Sequence, residues 1–430
     1  MKYFLRLCTI AILFGSIITS GCTGCNNRKE RMDEATLNTE KQDALNNDSD
    51  NSEREISKAV FFIENSESMF GYVSGFTEYV DVISELAEKP SFIEEKTQRV
   101  FKFINGGENL KITPISNTDD LKTKLNKNGF NCGDITKSNL NKMFQRALEK
   151  ARKDTISILI SDGIYDLGKN SPKNTLSLEG NQTRSQFIER FEEGDLQTIM
   201  IKLHSHFDGD YFPVKGGEIY IEQIRPYYIW IFGETELLNR YFSEEYIKSL
   251  KAYADMARFI KFDELNIPFQ AVSKKMKGSI KFDRQDKNIL NDVEPDRNGQ
   301  GFQFSFVTDF SSLPYSDSYF KTTSNYSCSD ESYKVTSVTE IKKPIHGVTF
   351  THTHLITVST QNISYCELNV SLKSVVQEWI DLTNAPDEKN IKNDTTQTIG
   401  FNYLTDAISE AYEYKNKETN ITSFTFGINK

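Results

Sequence analysis

The sequence predicts an α/β domain with a mostly parallel central sheet, followed by a β-rich, sandwich-like domain with one or two helices. Between residues 57 and 262, short continuous apolar runs alternate with segments of helical periodicity. Such runs are typical of strands that are buried on both faces, and the helical segments are typical of the helices that cover them. Over residues 263–430, alternating apolar and polar runs are separated by polar loops, which favours antiparallel sheets.

In the first domain, predicted strands alternate with predicted helices. Its apolar runs are short, and its helical patterns place apolar residues three and four apart. Gly pairs between two of the runs indicate hairpins. The predicted elements are a strand at 59–63, a helix at 76–88, a hairpin at 99–104 and 110–115, a helix at 140–151, a strand at 155–161, a helix at 183–193, a strand at 196–203, an inserted hairpin at 211–223, a strand at 226–232 and a helix at 234–242.

The second domain has weaker signals. Phe residues alternate along one of its runs, as expected for a strand with one buried face. The predicted strands lie at 302–306, 333–338, 355–359, 367–372 and 423–428, and helical patterns lie at 371–383 and 402–413. No family is recognised in this region, and it offers no chemistry of its own.

The first 56 residues are predicted to lie outside both domains. Two basic residues precede an apolar stretch over residues 7–18, which is short for a transmembrane helix. The small residues before Cys22 resemble a bacterial lipoprotein cleavage box, which implies a signal peptide at 1–21 and a lipid on Cys22. A plain secretory signal and a single membrane anchor are the alternatives. Residues 22–56 are polar and predict a disordered tether.

The charge of the chain argues against one class of function, and its cysteines bear on the compartment in which it folds. The chain of 430 residues has a formal net charge of −10 and no basic stripe, which argues against nucleic-acid binding. Cys328 and Cys366 lie in the same region, and a disulfide between them is one hypothesis for an oxidising compartment. The expected location is the cell envelope, lipid-anchored to a bacterial membrane and facing the periplasm or the exterior.

Oxygen-bearing side chains follow two of the predicted strands. Glu64, Ser66 and Ser68 come directly after the first strand, Asp162 follows the strand at 155–161, and Thr136 stands at a predicted helix start. In open α/β sheets, ligands bind beyond the carboxyl ends of the strands, so we expect these side chains to meet at one edge. Hard oxygen ligands suit Mg²⁺. The end of the first strand therefore looks like the first piece of a magnesium site, and Asp162 and Thr136 can reach the same edge.

This constellation resembles the metal-ion-dependent adhesion site of von Willebrand factor A domains, which have a Rossmann-like fold. The family pattern is Asp-x-Ser-x-Ser after the first strand, a Thr from a later loop and an Asp-Gly after the fourth strand. The resemblance covers residues 57–260. It implies that Ser66, Ser68 and Thr136 bind Mg²⁺ directly, while Glu64 and Asp162 hold waters. Glu64 stands where the family has Asp.

The resemblance implies a binding protein whose Mg²⁺ takes up an acidic side chain of a protein partner. One alternative is a metal-dependent hydrolase that uses His204, His206 and Asp208, since these residues resemble the His-x-His-x-Asp-His motif of metallo-β-lactamase-type enzymes up to Gly209. The second alternative is a structural von Willebrand A-like scaffold that has lost its metal, which Glu64 favours. The chain has no nucleophile elbow, phosphate loop or dinucleotide fingerprint, so a binding protein is favoured over an enzyme.

Overall fold

The computed structural model describes most of the chain beyond residue 54. The described residues are 55–88, 96–167, 172–214, 216–261, 267–299, 301–311, 313, 315, 317–374, 377–416 and 420–430. The predicted signal peptide, the lipid-bearing Cys22 and all but the last two residues of the predicted tether lie outside them. Within these ranges, no helix is both long enough and apolar enough to cross a membrane.

A seven-stranded sheet lies at the centre of the α/β part, in the order β3-β2-β1-β4-β6-β5-β7. Its strands are β1 (Lys58–Glu64), β2 (Gln98–Asn105), β3 (Lys111–Ile115), β4 (Thr155–Ser161), β5 (Gln197–Tyr211), β6 (Ile219–Gly233) and β7 (Tyr253–Phe259). The pairs β1–β2 and β1–β4 are parallel, and the other four neighbouring pairs are antiparallel. The sheet is therefore mixed, and the predicted parallel arrangement holds only for β2, β1 and β4.

The difference from a mostly parallel sheet comes from β5 and β6. These two strands of fifteen residues each form one continuous antiparallel hairpin, paired from Gln197 with Gly233 to Tyr211 with Ile219. The predicted inserted hairpin at 211–223, between two separate central strands, is instead the tip of this one long hairpin. An apolar run that is buried on both faces has the same pattern whichever way its neighbour runs, so periodicity alone does not determine the direction.

Helices and loops cover both faces of this sheet. The helices are α1 (Glu78–Glu88), α2 (Thr118–Lys124), α3 (Lys127–Phe130), α4 (Leu140–Leu148), α5 (Pro172–Phe191), α6 (Thr235–Tyr241) and α7 (Glu244–Ser249). Because side chains alternate along a strand, Phe61 and Ile63 of β1 enter the core on the α1 face, while Val60 and Phe62 enter the core on the α4 face. This double coverage buries β1 completely from residue 59 to residue 64.

Two further sheets form the β-rich part, with the strand orders β12-β15-β18-β10-β9 and β13-β14-β11-β8. Their strands are β8 (Phe269–Lys277), β9 (Ser279–Phe282), β10 (Ile289–Glu294), β11 (Phe302–Thr308), β12 (Tyr326–Cys328), β13 (Tyr333–Glu340), β14 (His354–Thr360), β15 (Glu367–Lys373) and β18 (Asn420–Ile428). Phe304 and Phe306 on one sheet lie 5.1 and 5.0 Å from Phe426 and Phe424 on the other, measured between ring centroids. The two sheets thus share one aromatic core, as expected for a sandwich.

Part of the C-terminal region packs on the α/β sheet. Its elements are α9 (Glu378–Thr383), β16 (Asn384–Ala385), β17 (Thr398–Ile399) and α10 (Phe401–Asn416), whereas α8 (Asp317–Lys321) packs in the core of the sandwich. Phe401 stacks on Tyr228 of β6 with centroids 4.6 Å apart, and Tyr412 packs edge-on against Phe191 of α5 at 4.7 Å. The predicted domain boundary at 262/263 therefore does not separate the cores, because the segment from α9 to α10 belongs with the first one.

The two cysteines of the sandwich are free thiols. The pairing of β12 with β15 places Cys328 opposite Val370, four residues along the chain from Cys366. The hypothesised disulfide is therefore not formed in this structure.

Candidate functional site

The carboxylate of Glu64 is buried at the end of β1, with 1% of the residue exposed. Its Oε1 accepts hydrogen bonds from the hydroxyls of Ser66 at 2.7 Å and Ser138 at 2.5 Å. Its Oε2 is also buried and has no hydrogen-bond partner among the described residues. A buried carboxylate oxygen without a partner is costly, and such an atom indicates a place for a proton, an ion or a water.

The loop after β1 is held to the loop before α4 by backbone and side-chain contacts. The amide N–H of Glu67 donates to the carbonyl of Ile135 at 2.9 Å, and the Asn65 side chain donates to the carbonyls of Phe130 and Cys132 at 2.8 and 3.0 Å. These contacts bring the serines after β1 next to residues 135–138. The two loops therefore meet at one edge of the sheet.

Ser68 lies in the first turn of the 3₁₀ helix Glu67–Val73, and Ser66 directly precedes this helix. Their Oγ atoms are 3.1 Å apart. Ser66 is buried and contacts Glu64, while Ser68 is partly exposed and stabilises the ionised form of Asp162. The two hydroxyls thus lie between the two carboxylates.

Thr136 lies beside the site, but its hydroxyl does not contact Glu64. Thr136 is exposed, and its Oγ1 donates to Oδ1 of Asp134 at 3.1 Å. Ser138, two residues further on, makes the contact with Glu64 instead. No sequence pattern singles out Ser138, because its approach to Glu64 depends on the contact between two loops that are distant along the chain.

Asp162 follows β4, and 4% of the residue is exposed. Burial raises the pKa of its carboxyl, while the N–H of Ile164, the charge of Arg225 and the hydroxyl of Ser68 oppose that rise. The Ile164 N–H donates to Oδ1 at 3.1 Å. The next residue, Gly163, has a φ of +71°, so the turn that presents Asp162 uses a backbone conformation that favours glycine.

The two carboxylates influence each other. Burial and then the nearby charge of Asp162 raise the pKa of Glu64 from 4.5 to about 7, although the hydroxyls of Ser138, Ser161 and Ser66 favour its ionised form. Two acidic groups that share a buried site disfavour each other's ionisation. A cation placed between them would relieve both the burial penalty and the repulsion.

A third charged group, Arg225, was not identified from the sequence. It lies on β6, 3% of it is exposed, and its guanidinium lies over the rings of Phe207 and Tyr211 at 5.0 and 4.9 Å. Its charge opposes the rise that burial causes in the pKa of Asp162. No local motif marks this arginine, because its position depends on the long hairpin that extends β6 beyond the end of β4.

A cavity of about 290 Å³ lies at this edge of the sheet. Ser66, Ser68, Thr136 and Asp162 line one side, and the hairpin tip lines another through Tyr211 and residues 212–214. Glu388 lines it as well, and this carboxylate accepts hydrogen bonds from the Tyr211 hydroxyl at 2.8 Å and from the Val214 N–H at 3.1 Å. The C-terminal segment thus fixes the hairpin tip next to the predicted site.

The donor set at this cavity fits a hard cation only in part. Two carboxylates and several hydroxyls converge, and Glu64 Oε2 has no partner within the described ranges, which suits Mg²⁺. No group of three or more His, Cys, Asp or Glu side chains with metal-binding geometry occurs anywhere in the part of the chain that the structure describes. The residues therefore fit an ion that keeps water or partner ligands rather than one enclosed by protein.

The histidine motif does not form such a group either. His204, His206 and Asp208 share the less buried face of β5. The Asp208 carboxylate accepts hydrogen bonds from Ser74 at 2.7 Å and Tyr220 at 2.6 Å. Asp208 thus ties the loop after the 3₁₀ helix to the hairpin, and the described residues contain no three-ligand zinc arrangement.

No protein-family model matches this chain, and neither the curated proteins nor the solved structures give a significant match. The resemblance to von Willebrand A domains therefore stays a prediction from the residues of the site.

Proposed function

We propose that this chain is a von Willebrand A-like binding protein that holds Mg²⁺ at the cavity beside Asp162. Ser66, Ser68 and Asp162 would hold the ion, with Glu64 beneath them supplying negative charge. The observation that carries the proposal is the buried Glu64, whose Oε2 has no partner among the described residues while a second buried carboxylate lies nearby. A divalent ion would satisfy both groups without a proton.

The proposed role of the ion is to recognise an acidic side chain of a protein partner. Mg²⁺ prefers six oxygen ligands, and the two hydroxyls and one carboxylate leave positions for water and for an incoming carboxylate. Phe212, Pro213 and Val214 add apolar surface to the cavity wall. An apolar wall next to a polar ion site suits a side chain that brings both a carboxylate and its methylene groups.

The lipoprotein-like cleavage box before Cys22 supports a location in the cell envelope. We propose that Cys22 carries lipid and that the chain is anchored in the cell envelope, where the tether would separate the folded part from the membrane. Labelling with a radioactive or clickable fatty acid tests this: the wild-type chain should incorporate label and the Cys22→Ala variant should not.

Calorimetric titration of the purified chain with Mg²⁺ tests the ion site. The Ser68→Ala variant should bind Mg²⁺ about tenfold or more weakly, because it loses one oxygen ligand. Ser185→Ala is the matched control, since this serine on α5 donates only to the carbonyl of Asn181 and lies outside the cavity lining. Equal heats for the wild-type chain and Ser68→Ala would contradict the proposal.

A scaffold that has lost its metal is the second candidate, and the raised pKa of Glu64 is the observation that favours it. With a pKa of about 7, Glu64 can hold a proton at neutral pH, and that proton would remove the need for an ion. Glu64→Asp separates the two candidates. Mg²⁺ binding that appears only in Glu64→Asp would support the scaffold, and binding by the wild-type chain would support the ion site.

A further inference from the structure

The four-stranded sheet of the sandwich, β13-β14-β11-β8, carries several lysines and almost no acidic residues. Its strands and the strap that joins β13 to β14, residues 341–353, contain a single acidic residue, Glu340, although the whole chain has 61 Asp and Glu. Glu340 lies 3.9 Å from the ammonium of Lys321 on α8. The lysines of these segments, all of them exposed, are Lys274, Lys275, Lys277, Lys334, Lys342 and Lys343.

The strand register places two of these lysines at the ends of one row across the sheet. Lys277 of β8 lies opposite Gln303 of β11. Gln303 also lies opposite Ser359 of β14, which in turn lies opposite Lys334 of β13. Because Gln303 alternates with Phe304, which enters the sandwich core, the row faces away from that core. Neighbouring strands lie about 4.8 Å apart, so the two lysines stand about 14 Å apart along the row.

The strap places two more lysines beside this outer face. Its half-buried apolar side chains pack on three outer-face residues, Val272, Val307 and Leu355. Lys342 and Lys343 are exposed on the strap, and Lys274 and Lys275 lie in the irregular part of β8 between Val272 and Lys277. The six lysines therefore belong to the outer face of one sheet and its edge, here named the basic face.

Nearby acidic residues do not balance the basic face. Asp309 and Glu331 are the acidic residues within two positions of the strand ends, and with Glu340 they are outnumbered two to one by the six lysines. The ion pairs in the described part of the sandwich use Lys281 and Lys321 instead. The basic face thus keeps an excess of positive charge in a chain whose net charge is −10.

Protection of sheet edges accounts for only part of this set. Lysines on edge strands hinder pairing with other sheets, and β8 and β13 are the edge strands of this sheet. Lys342 and Lys343 lie on the strap, which covers the face rather than an edge. These two lysines therefore call for a second explanation of the charge.

A broad cationic sheet face has the shape and the charge that suit an anionic bilayer. Each lysine close to an anionic membrane surface contributes about 1 kcal/mol to binding. The described residues begin at residue 55, and the 33 residues from Cys22 to residue 54 can span at most about 110 Å. A lipid on Cys22 would therefore hold the basic face within reach of headgroups.

We propose that the basic face binds the headgroups of anionic phospholipids. The inference does not depend on the ion site. It gives the sandwich, which offers no chemistry of its own in the sequence, a role in holding the folded part against the membrane. The lysines come from three separate segments of the chain, which is why the sequence shows no basic stripe.

Co-sedimentation with vesicles tests the proposal on the unlipidated chain from residue 23 onward, which keeps every described residue. We expect binding to vesicles of equal parts phosphatidylglycerol and phosphatidylcholine, and binding at least about tenfold weaker to pure phosphatidylcholine. Salt at about 0.5 M should release the chain, because it screens exposed charges. The double variant Lys277→Glu, Lys334→Glu should bind phosphatidylglycerol at least about tenfold more weakly. Glutamate keeps a charge at each sheet edge, so edge protection is retained.

The double variant Lys150→Glu, Lys173→Glu is the matched control, because it makes the same charge change at two exposed lysines of the α/β part. It should keep most of the wild-type binding. Equal binding to both kinds of vesicle, or an equal loss in the control, would overturn the proposal. Binding to poly-glutamate as tight as to the phosphatidylglycerol vesicles would also overturn it and would indicate an acidic protein partner. If the Lys277 and Lys334 variant does not fold in thermal unfolding, the comparison of the two kinds of vesicle decides.

Discussion

The hydroxyl of Ser138 donates to Oε1 of Glu64 at 2.5 Å, across 74 residues of sequence. This bond joins the end of β1 to the loop before α4. The backbone contact from Glu67 to Ile135 fixes the approach of the two loops, and this register brings Ser138 rather than Thr136 to the carboxylate.

Ser138→Ala should therefore affect the site more than Thr136→Ala. Losing the Ser138 hydroxyl removes a group that lowers the pKa of Glu64, so this pKa should rise further. It should also lower the free energy of unfolding by about 1 kcal/mol, the usual contribution of one hydrogen bond. Urea denaturation of both variants measures the difference. A larger effect for Thr136→Ala, whose hydroxyl is exposed, would contradict this assignment.

The stability of the metal-free chain should fall as the pH rises. The pKa of Glu64 is raised from 4.5 to about 7 in the folded chain, so the protonated form is favoured by folding. The associated stabilisation is complete below pH 4.5 and is lost as the pH rises through 7. A shift of this size corresponds to a loss of the order of 3 kcal/mol.

Urea denaturation between about pH 5 and pH 8 in the presence of a chelator measures this loss. Glu64→Gln should show a much smaller decrease, because the group that titrates is absent. Glu149→Gln, at an exposed residue paired with Arg146, should keep the wild-type profile. Stability that increases over this pH range in the wild-type chain would count against the burial of Glu64.

Glu388 should control the hairpin tip beside the cavity. Glu388→Ala removes the acceptor for the Tyr211 hydroxyl and the Val214 N–H, so amide exchange over 211–214 should accelerate. The expected cost in stability is about 1–3 kcal/mol, because two hydrogen-bond donors lose their partner. Asp387→Ala, next to it and exposed, should leave exchange in the hairpin unchanged. Hydrogen exchange read by mass spectrometry compares the two, and equal protection at 211–214 would rule out this role for Glu388.

The turn that presents Asp162 should not tolerate a side chain at position 163. A Cβ on Gly163 would lie 2.9 Å from the Tyr228 ring, in addition to the strain of a φ of +71°. Gly216 has a similar φ of +81° but no atom within 4 Å of the added Cβ. Gly216→Ala should therefore cost about 1 kcal/mol from backbone strain alone, and Gly163→Ala clearly more. Thermal unfolding of the two variants compares their losses of stability. Equal losses would show that the Tyr228 ring moves away from the added Cβ without a cost in stability.

The sequence predicted the elements near β1 well because their patterns are local. The buried run at 59–63, the hairpin of β2 and β3, and the amphipathic α4 each depend on residues a few positions apart. The paired carboxylates Glu64 and Asp162 were also predicted, because the end of a buried strand is visible as the end of an apolar run.

The remaining features depend on contacts between distant segments. The antiparallel pairing of β5 with β6 involves two buried runs whose patterns carry no direction. Arg225 reaches the site only because that hairpin extends beyond the sheet, and Glu388 comes from a segment that the sequence analysis assigned to the β-rich domain. These contacts join segments that are far apart along the chain, so the periodicity of the sequence does not predict them.

The sharpest test of the ion site is a comparison of the Mg²⁺ affinities of the wild-type chain and Asp162→Asn by calorimetry. Asparagine keeps the shape of this side chain and removes its charge. We expect a saturable Mg²⁺ heat for the wild-type chain, and binding that is lost or at least tenfold weaker in Asp162→Asn. No heat in the wild-type chain, or the same affinity in both, would contradict it.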